Sequence, residues 1–109
     1  MSSASAPTPR LGSADPVRVD PKHYNIELEN ERVRVLRVKY GAHEKSVMHS
    51  HPACFAIFLT ASRARFTFPD GKSEERSWNA GDTLSMPTET HLPENLDDKP
   101  LEVVLIEFK

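Results

Sequence analysis

No stretch of this chain repeats its apolar residues at helical spacing; short β-branched and aromatic runs, each cut off by Gly, Pro, Asn or Asp, take its place. Residues 23–29 alternate, with Tyr24, Ile26 and Leu28 on one face, and predict a strand. Residues 32–40 predict a second strand. In it Val33 and Val35 share one parity and Leu36, Val38 and Tyr40 the other, so either a bulge falls near Val35 and Leu36 or both faces are buried. Residues 46–51 predict a strand stopped by Pro52, and residues 55–60 a continuous apolar strand buried on both sides. Residues 63–68 and 72–78 predict the arms of a hairpin around Asp70 and Gly71, the expected turn chemistry. Residues 79–82 form another turn, residues 83–86 a short strand ending at Pro87, and residues 101–108 a closing strand deep in the core. Residues 92–100 read as polar and irregular. Many short strands between regular turns imply an all-β sandwich or barrel, which encloses a small ligand site at its mouth.

Size and charge narrow the function classes. A chain of 109 residues fits one domain with one modest core. A net charge of −2, with no basic cluster to track phosphates, excludes a nucleic-acid partner. The single cysteine allows no internal disulfide and suits a reducing compartment. No apolar run is long enough to span a bilayer, and the N-terminus lacks a basic and an apolar signal region, so a soluble cytoplasmic protein without a membrane partner is expected. Residues 1–16, built mostly from Ser, Ala, Pro, Thr and Gly, predict a flexible tail, with residues 17–109 as the domain and residues 16–21 as an extended lead into it.

Chemistry concentrates at Met48-His49-Ser50-His51-Pro52. Residues two apart on a strand face the same side at roughly 6.5 Å. Two such imidazoles can tilt toward a common point about 2.1 Å from each ring nitrogen, which is a metal-ligand arrangement. The plainer alternative is two solvated histidines in a loop closed by Pro52. His91 follows the Asp70-Gly71 hairpin and can return to His49 and His51, whereas His23 and His43 sit at turn edges and read as solvated. Cys54 is either a small core residue or a redox-sensitive thiol beside the histidines. Arg34 or Arg37 would anchor a carboxylate if it pointed into the barrel; otherwise both are surface strand arginines. Tyr24, Tyr40, Phe55, Phe58 and Trp78 read as core and pocket wall.

These residues resemble the two motifs of the cupin superfamily, small β-barrels of the double-stranded β-helix type. His49 and His51 match the paired histidines of the first motif, with Gly41 two residues further upstream than its glycine. Gly81 and Pro87 match the second motif at its spacing, His91 its histidine and Asn95 its asparagine. His91 lies one residue closer to the proline than usual, and the glycine between them is missing. The resemblance covers residues 24–108. More narrowly, residues 33–38 and 91–95 look like the small single-domain cupins labelled as β-alanine degradation proteins. The glutamate that usually follows the first histidine pair falls on Phe55 or Ala56, so no carboxylate carries over, and Glu44, Glu89 and Glu94 do not occupy the motif position.

The resemblance implies a three-histidine site, His49, His51 and His91, holding one divalent metal ion per chain, Fe, Zn or Ni. It implies a non-haem Fe(II) dioxygenase-type enzyme on a small anionic molecule, with no catalytic group singled out beyond the ligands. The alternatives are a non-catalytic metal and small-ligand binder, or an isomerase or lyase. It also implies a homodimer built on residues 24–40.

Overall fold

Alternation along each strand decides which face is buried, and the computed structural model, which describes residues 14–109, carries that alternation through. Among the described residues a helical turn α1 (Pro16–Val19) precedes nine strands: β1 (Tyr24–Glu29), β2 (Val33–Tyr40), β3 (His49–His51), β4 (Cys54–Phe58), β5 (Ser62–Thr67), β6 (Ser73–Trp78), β7 (Thr83–Met86), β8 (Glu89–Asn95) and β9 (Leu101–Phe108). They form two sheets, in the orders β1-β2-β9-β4-β7 and β3-β8-β5-β6. Every pairing is antiparallel. The expected all-β double-stranded β-helix is the architecture formed. Its core lies between the sheets: Leu36, Val38 and Tyr40 from β2, Ala56 and Phe58 from β4, Phe66 from β5, and Leu101, Val103 and Leu105 from β9. Burying the larger of these stabilises by about 1.5–3 kcal/mol apiece. Both turns need their glycines, since Gly71 and Gly81 have φ of 88° and 89°.

Six expectations are corrected. The β2 strand keeps one phase throughout, with Arg34, Leu36, Val38 and Tyr40 inward; the bulge lies in β1, between Ile26 and Leu28. The run 55–60 is buried on one face only, with Phe55 and Leu59 each 44% exposed. Its outward side joins an apolar row, Leu28–Val35–Ile106–Phe55, across four strands. Residues 92–95 belong to β8 and not to an irregular segment. Pro93 is tolerated there because β3 begins only at His49; before it the facing chain needs only an acceptor, and Ser46 N donates to the Pro93 carbonyl at 2.9 Å.

The N-terminal boundary also moves. The tail expected over residues 1–16 lies outside the described residues as far as residue 13, but Asp15 and Pro16 are buried, so the packed chain begins before Val17. The expected extended lead is a helical turn, because Pro16 presets the first helical position and Arg18 N and Val19 N both donate to the Asp15 carbonyl. Finally, His23 is 4% exposed and not solvated, whereas His43 is exposed as expected.

Candidate metal centre

The short strand β3 places His49 and His51 on its inward face, and its register with β8 sets His91 directly opposite His49. All three rings are buried. Their centroids lie 4.7 Å (His49–His51), 5.1 Å (His49–His91) and 5.1 Å (His51–His91) apart. One ring nitrogen from each falls within 4.8 Å of the others. His49 Nε2 and His51 Nε2 are 3.0 Å apart, the separation of adjacent nitrogens in an octahedral shell with bonds of about 2.1 Å.

Each remaining ring nitrogen faces an acceptor. His49 Nδ1 donates to the Val47 carbonyl at 2.9 Å, His91 Nδ1 to Glu89 Oε1 at 2.6 Å, and His51 Nδ1 to Glu107 Oε2 at 3.3 Å. These acceptors hold the proton on Nδ1, which leaves Nε2 bare on every ring. Two bare lone pairs 3.0 Å apart repel unless a cation sits between them, and moving the His51 proton to Nε2 would set its Nδ1 lone pair against the Glu107 carboxylate. The donor set fits a divalent ion, and imidazole suits Zn, Cu, Fe and Ni.

Electrostatics keep two of the ligands, His49 and His91, neutral. Burial first, then the neighbouring His51 and His91, push His49 down to about 2; burial first, then His51, push His91 down to about 4. Sequence reasoning missed Glu107, although its signal was present: a carboxylate at the inward parity of β9, after Val103 and Leu105. Opposite it in register is Arg34, whose guanidinium bonds both Glu107 (Nε to Oε1, 2.9 Å) and Asp15 (Nη1 to Oδ2, 3.2 Å). Burial opposes the Arg34 charge, but the Asp15 and Glu107 carboxylates outweigh it and raise its pKa. Arg34 is therefore inward but held by carboxylates. Arg37 pairs with Glu102 and Glu27 at the surface.

Beside the histidines lies a cavity of about 70 Å³, walled by Tyr24, Tyr40, Phe58, Phe66, Trp78 and Leu105, with His51, His91 and Glu89 at its polar side. Neither arginine lines it. The Tyr24 and Tyr40 hydroxyls bond each other at 2.7 Å, and Tyr24 lies edge-on to His49 at 4.9 Å. Cys54 is buried in the same wall; burial, then Glu107 and Glu89, raise its thiol to about 12, so it is a protonated core residue and not a reactive thiolate. Ala56 faces the cavity and Phe55 faces out, so position 56 is where a motif carboxylate would have to stand. Asn95 bonds the Gly41 and Lys99 carbonyls at 3.0 and 2.9 Å, a structural role that ties the β2–β3 loop to the end of β8.

No protein-family model matches the chain, and no curated protein is detectably similar to it. Solved structures are similar in fold. A cupin domain protein from Bordetella pertussis Tohama I superposes with a TM-score of 0.73 at 23% identity, over 79% of this chain and 91% of that one. An RmlC-like cupin family protein with a double-stranded β-helix fold from Methanocaldococcus jannaschii gives 0.60 at 17% identity, over 82% and 83%. Bacillus subtilis oxalate decarboxylase, a protein with Mn(II) centres, gives 0.54 at 22% identity, over 70% of this chain and 21% of that one.

Proposed function

We propose that this chain is a cupin-fold metal protein in which His49, His51 and His91 hold one divalent ion, and that it works as a non-haem Fe(II) dioxygenase-type enzyme on a small anionic molecule. The observation that carries the metal is the set of bare Nε2 atoms, two of them 3.0 Å apart, with every Nδ1 already bonded. An Fe(II) ion on three nitrogens supplies open positions for substrate and oxygen. The chain does the rest: Phe58, Phe66 and Trp78 exclude water, and the paired Tyr24 and Tyr40 hydroxyls are a polar group in the cavity wall that a ligand oxygen can meet. Without an Asp or Glu ligand the ion keeps its full double charge. One unit of charge at 4 Å and an effective dielectric of about 20 is worth roughly 4 kcal/mol to an anion before desolvation. The missing pocket arginine favours a second reading, a metal-held ligand binder without turnover.

Elemental analysis of protein purified without an affinity tag or chelator should return one divalent ion per chain. His49→Ala, His51→Ala and His91→Ala should each strip most of it, and His43→Ala should not. Full occupancy after His91→Ala would remove that residue from the site. Oxygen uptake by the Fe(II)-loaded protein with a panel of small carboxylates then separates the two readings: none with any of them leaves the binder.

The same reading includes a homodimer. The row Leu28, Val35, Ile106 and Phe55 is an outward apolar surface on the sheet that begins with β1 and β2, and a second copy would cover it. Light scattering at micromolar concentration should give twice the chain mass, and Ile106→Lys should halve it; a monomer in the unsubstituted chain rules the dimer out.

A further inference from the structure

A hydrogen-bonded chain leads from His49 behind Tyr40 to the loop between β2 and β3. His49 Nδ1, whose N–H goes to the Val47 carbonyl at 2.9 Å, also lies 3.3 Å from Ser46 Oγ, which can share that N–H; the Ser46 hydroxyl donates to Asp20 Oδ2 at 2.5 Å. The same Asp20 oxygen meets His23 Nδ1 at 2.7 Å, and His23 Nε2 meets Glu44 Oε1 at 3.0 Å. Ser46, Asp20 and His23 are all under a tenth exposed. None of them belongs to the three-histidine cluster, and nothing in the proposed chemistry uses them.

The state of His23 follows from its neighbours. A neutral imidazole has one N–H and one bare nitrogen, and a carboxylate accepts only. His23 presents a carboxylate oxygen to each nitrogen, so a single proton would leave a lone pair facing a negative oxygen in a buried site. Two protons satisfy both contacts. The groups around the ring agree: Tyr40 stacks flat on it at 4.2 Å and brings no charge, the Ser46 proton is committed to Asp20, and a nearby cation, Lys22, bonds the far oxygen of Glu44 at 3.0 Å. Gly41 N donates to Glu44 Oε1 at 2.8 Å, and a Cβ at Gly41 would press on that carboxyl at 3.1 Å.

We infer that His23 is a positioning residue for His49: held as an imidazolium between Asp20 and Glu44, it fixes Asp20 on Ser46 and so fixes the Ser46 oxygen against His49 Nδ1. The inference rests on the metal reading of His49. It joins the segment after α1 and the loop between β2 and β3 into the support of one ligand. Outer partners of this kind set a ligand's orientation and basicity, and losing one weakens metal binding by about 10–100-fold.

The test is zinc affinity at neutral pH, by competition with a chromophoric chelator, on the full chain and on Ser46→Ala, His23→Gln, the double variant and His43→Ala, together with the ring-nitrogen NMR spectrum of His23. Ser46→Ala and His23→Gln should each weaken zinc by about tenfold or more. The double variant should be no weaker than Ser46→Ala alone, because both changes cut one path. His43→Ala should match the unsubstituted chain, and both His23 nitrogens should carry protons. A His23→Gln protein that melts lower but binds zinc as before, fully additive losses, or one bare nitrogen on His23 overturns the inference. An unsubstituted chain that takes up no zinc overturns the metal reading and this inference with it, whereas equal uptake by all the variants overturns this inference alone.

Discussion

Replacing Glu107 by alanine should destabilise the chain by about 3–5 kcal/mol, the usual effect of removing one partner from a buried ion group. That is on the order of 20 °C in melting temperature for a domain of this size. Glu107 is 2% exposed and carries two loads at once, Arg34 on Oε1 at 2.9 Å and His51 Nδ1 on Oε2 at 3.3 Å. Alanine leaves the Arg34 guanidinium with Asp15 alone and frees the His51 ring. The two effects separate experimentally. Replacing Asp15, Arg34 and Glu107 together by apolar residues of similar volume should recover most of the stability, since a whole buried ion group exchanges for packing at little loss. It should not recover metal affinity, because His51 still lacks its acceptor. Glu107→Gln should sit between, keeping an oxygen for His51 while losing the charge that holds Arg34. A Glu107→Ala protein within about 1 kcal/mol of the parent in urea denaturation would mean that the Arg34 charge reaches water, and the buried triad would have to be abandoned.

How much of this was legible in the sequence depends on the range of the interaction that decides it. The two-residue alternation is local, so β2, β5, β6, β7 and β9 lie within a residue or two of their expected places. The spacing of His49 and His51 is local too, and it set them on one face. His91 was reached through the return of the chain past the Asp70-Gly71 hairpin and then through the resemblance, and the register of β3 with β8 brings it opposite His49. What was missed depends on register between distant segments. Arg34 and Glu107 face each other across β2 and β9, 73 residues apart in sequence, and Asp15 reaches them from residues assigned to the tail. His23 looked solvated because a histidine before a strand is usually so; a carboxylate on each side, from Asp20 and Glu44, buries it. Residues 92–95 read as polar and irregular, and it is the late start of β3, at His49, that lets a strand with Pro93 in it form there.

Acidification should weaken the metal-free chain steeply. In the unfolded chain His49 and His91 take up protons near the ordinary histidine pKa of about 6.5. In the fold, burial and the adjoining imidazoles hold them at about 2 and about 4. The unfolded state therefore binds more protons everywhere between those values, and stability falls as pH falls. The contribution is fully present above about pH 6.5; at pH 5 the two residues together lower stability by about 4 kcal/mol, about 2 each. Denaturant titrations between pH 7 and pH 5 should show this loss, and His91→Asn should remove about half of it. A bound ion changes the outcome. It binds the folded state alone and adds about 4 kcal/mol at a thousandfold excess over its dissociation constant. Protons compete for His49 and His91 only as pH approaches their depressed values, so these two ligands should still hold the metal at pH 5. Denaturant midpoints for the metal-free chain that stay level from pH 7 to pH 5 would show that the imidazoles reach water, and a cluster that open would not hold three bare nitrogens toward one point.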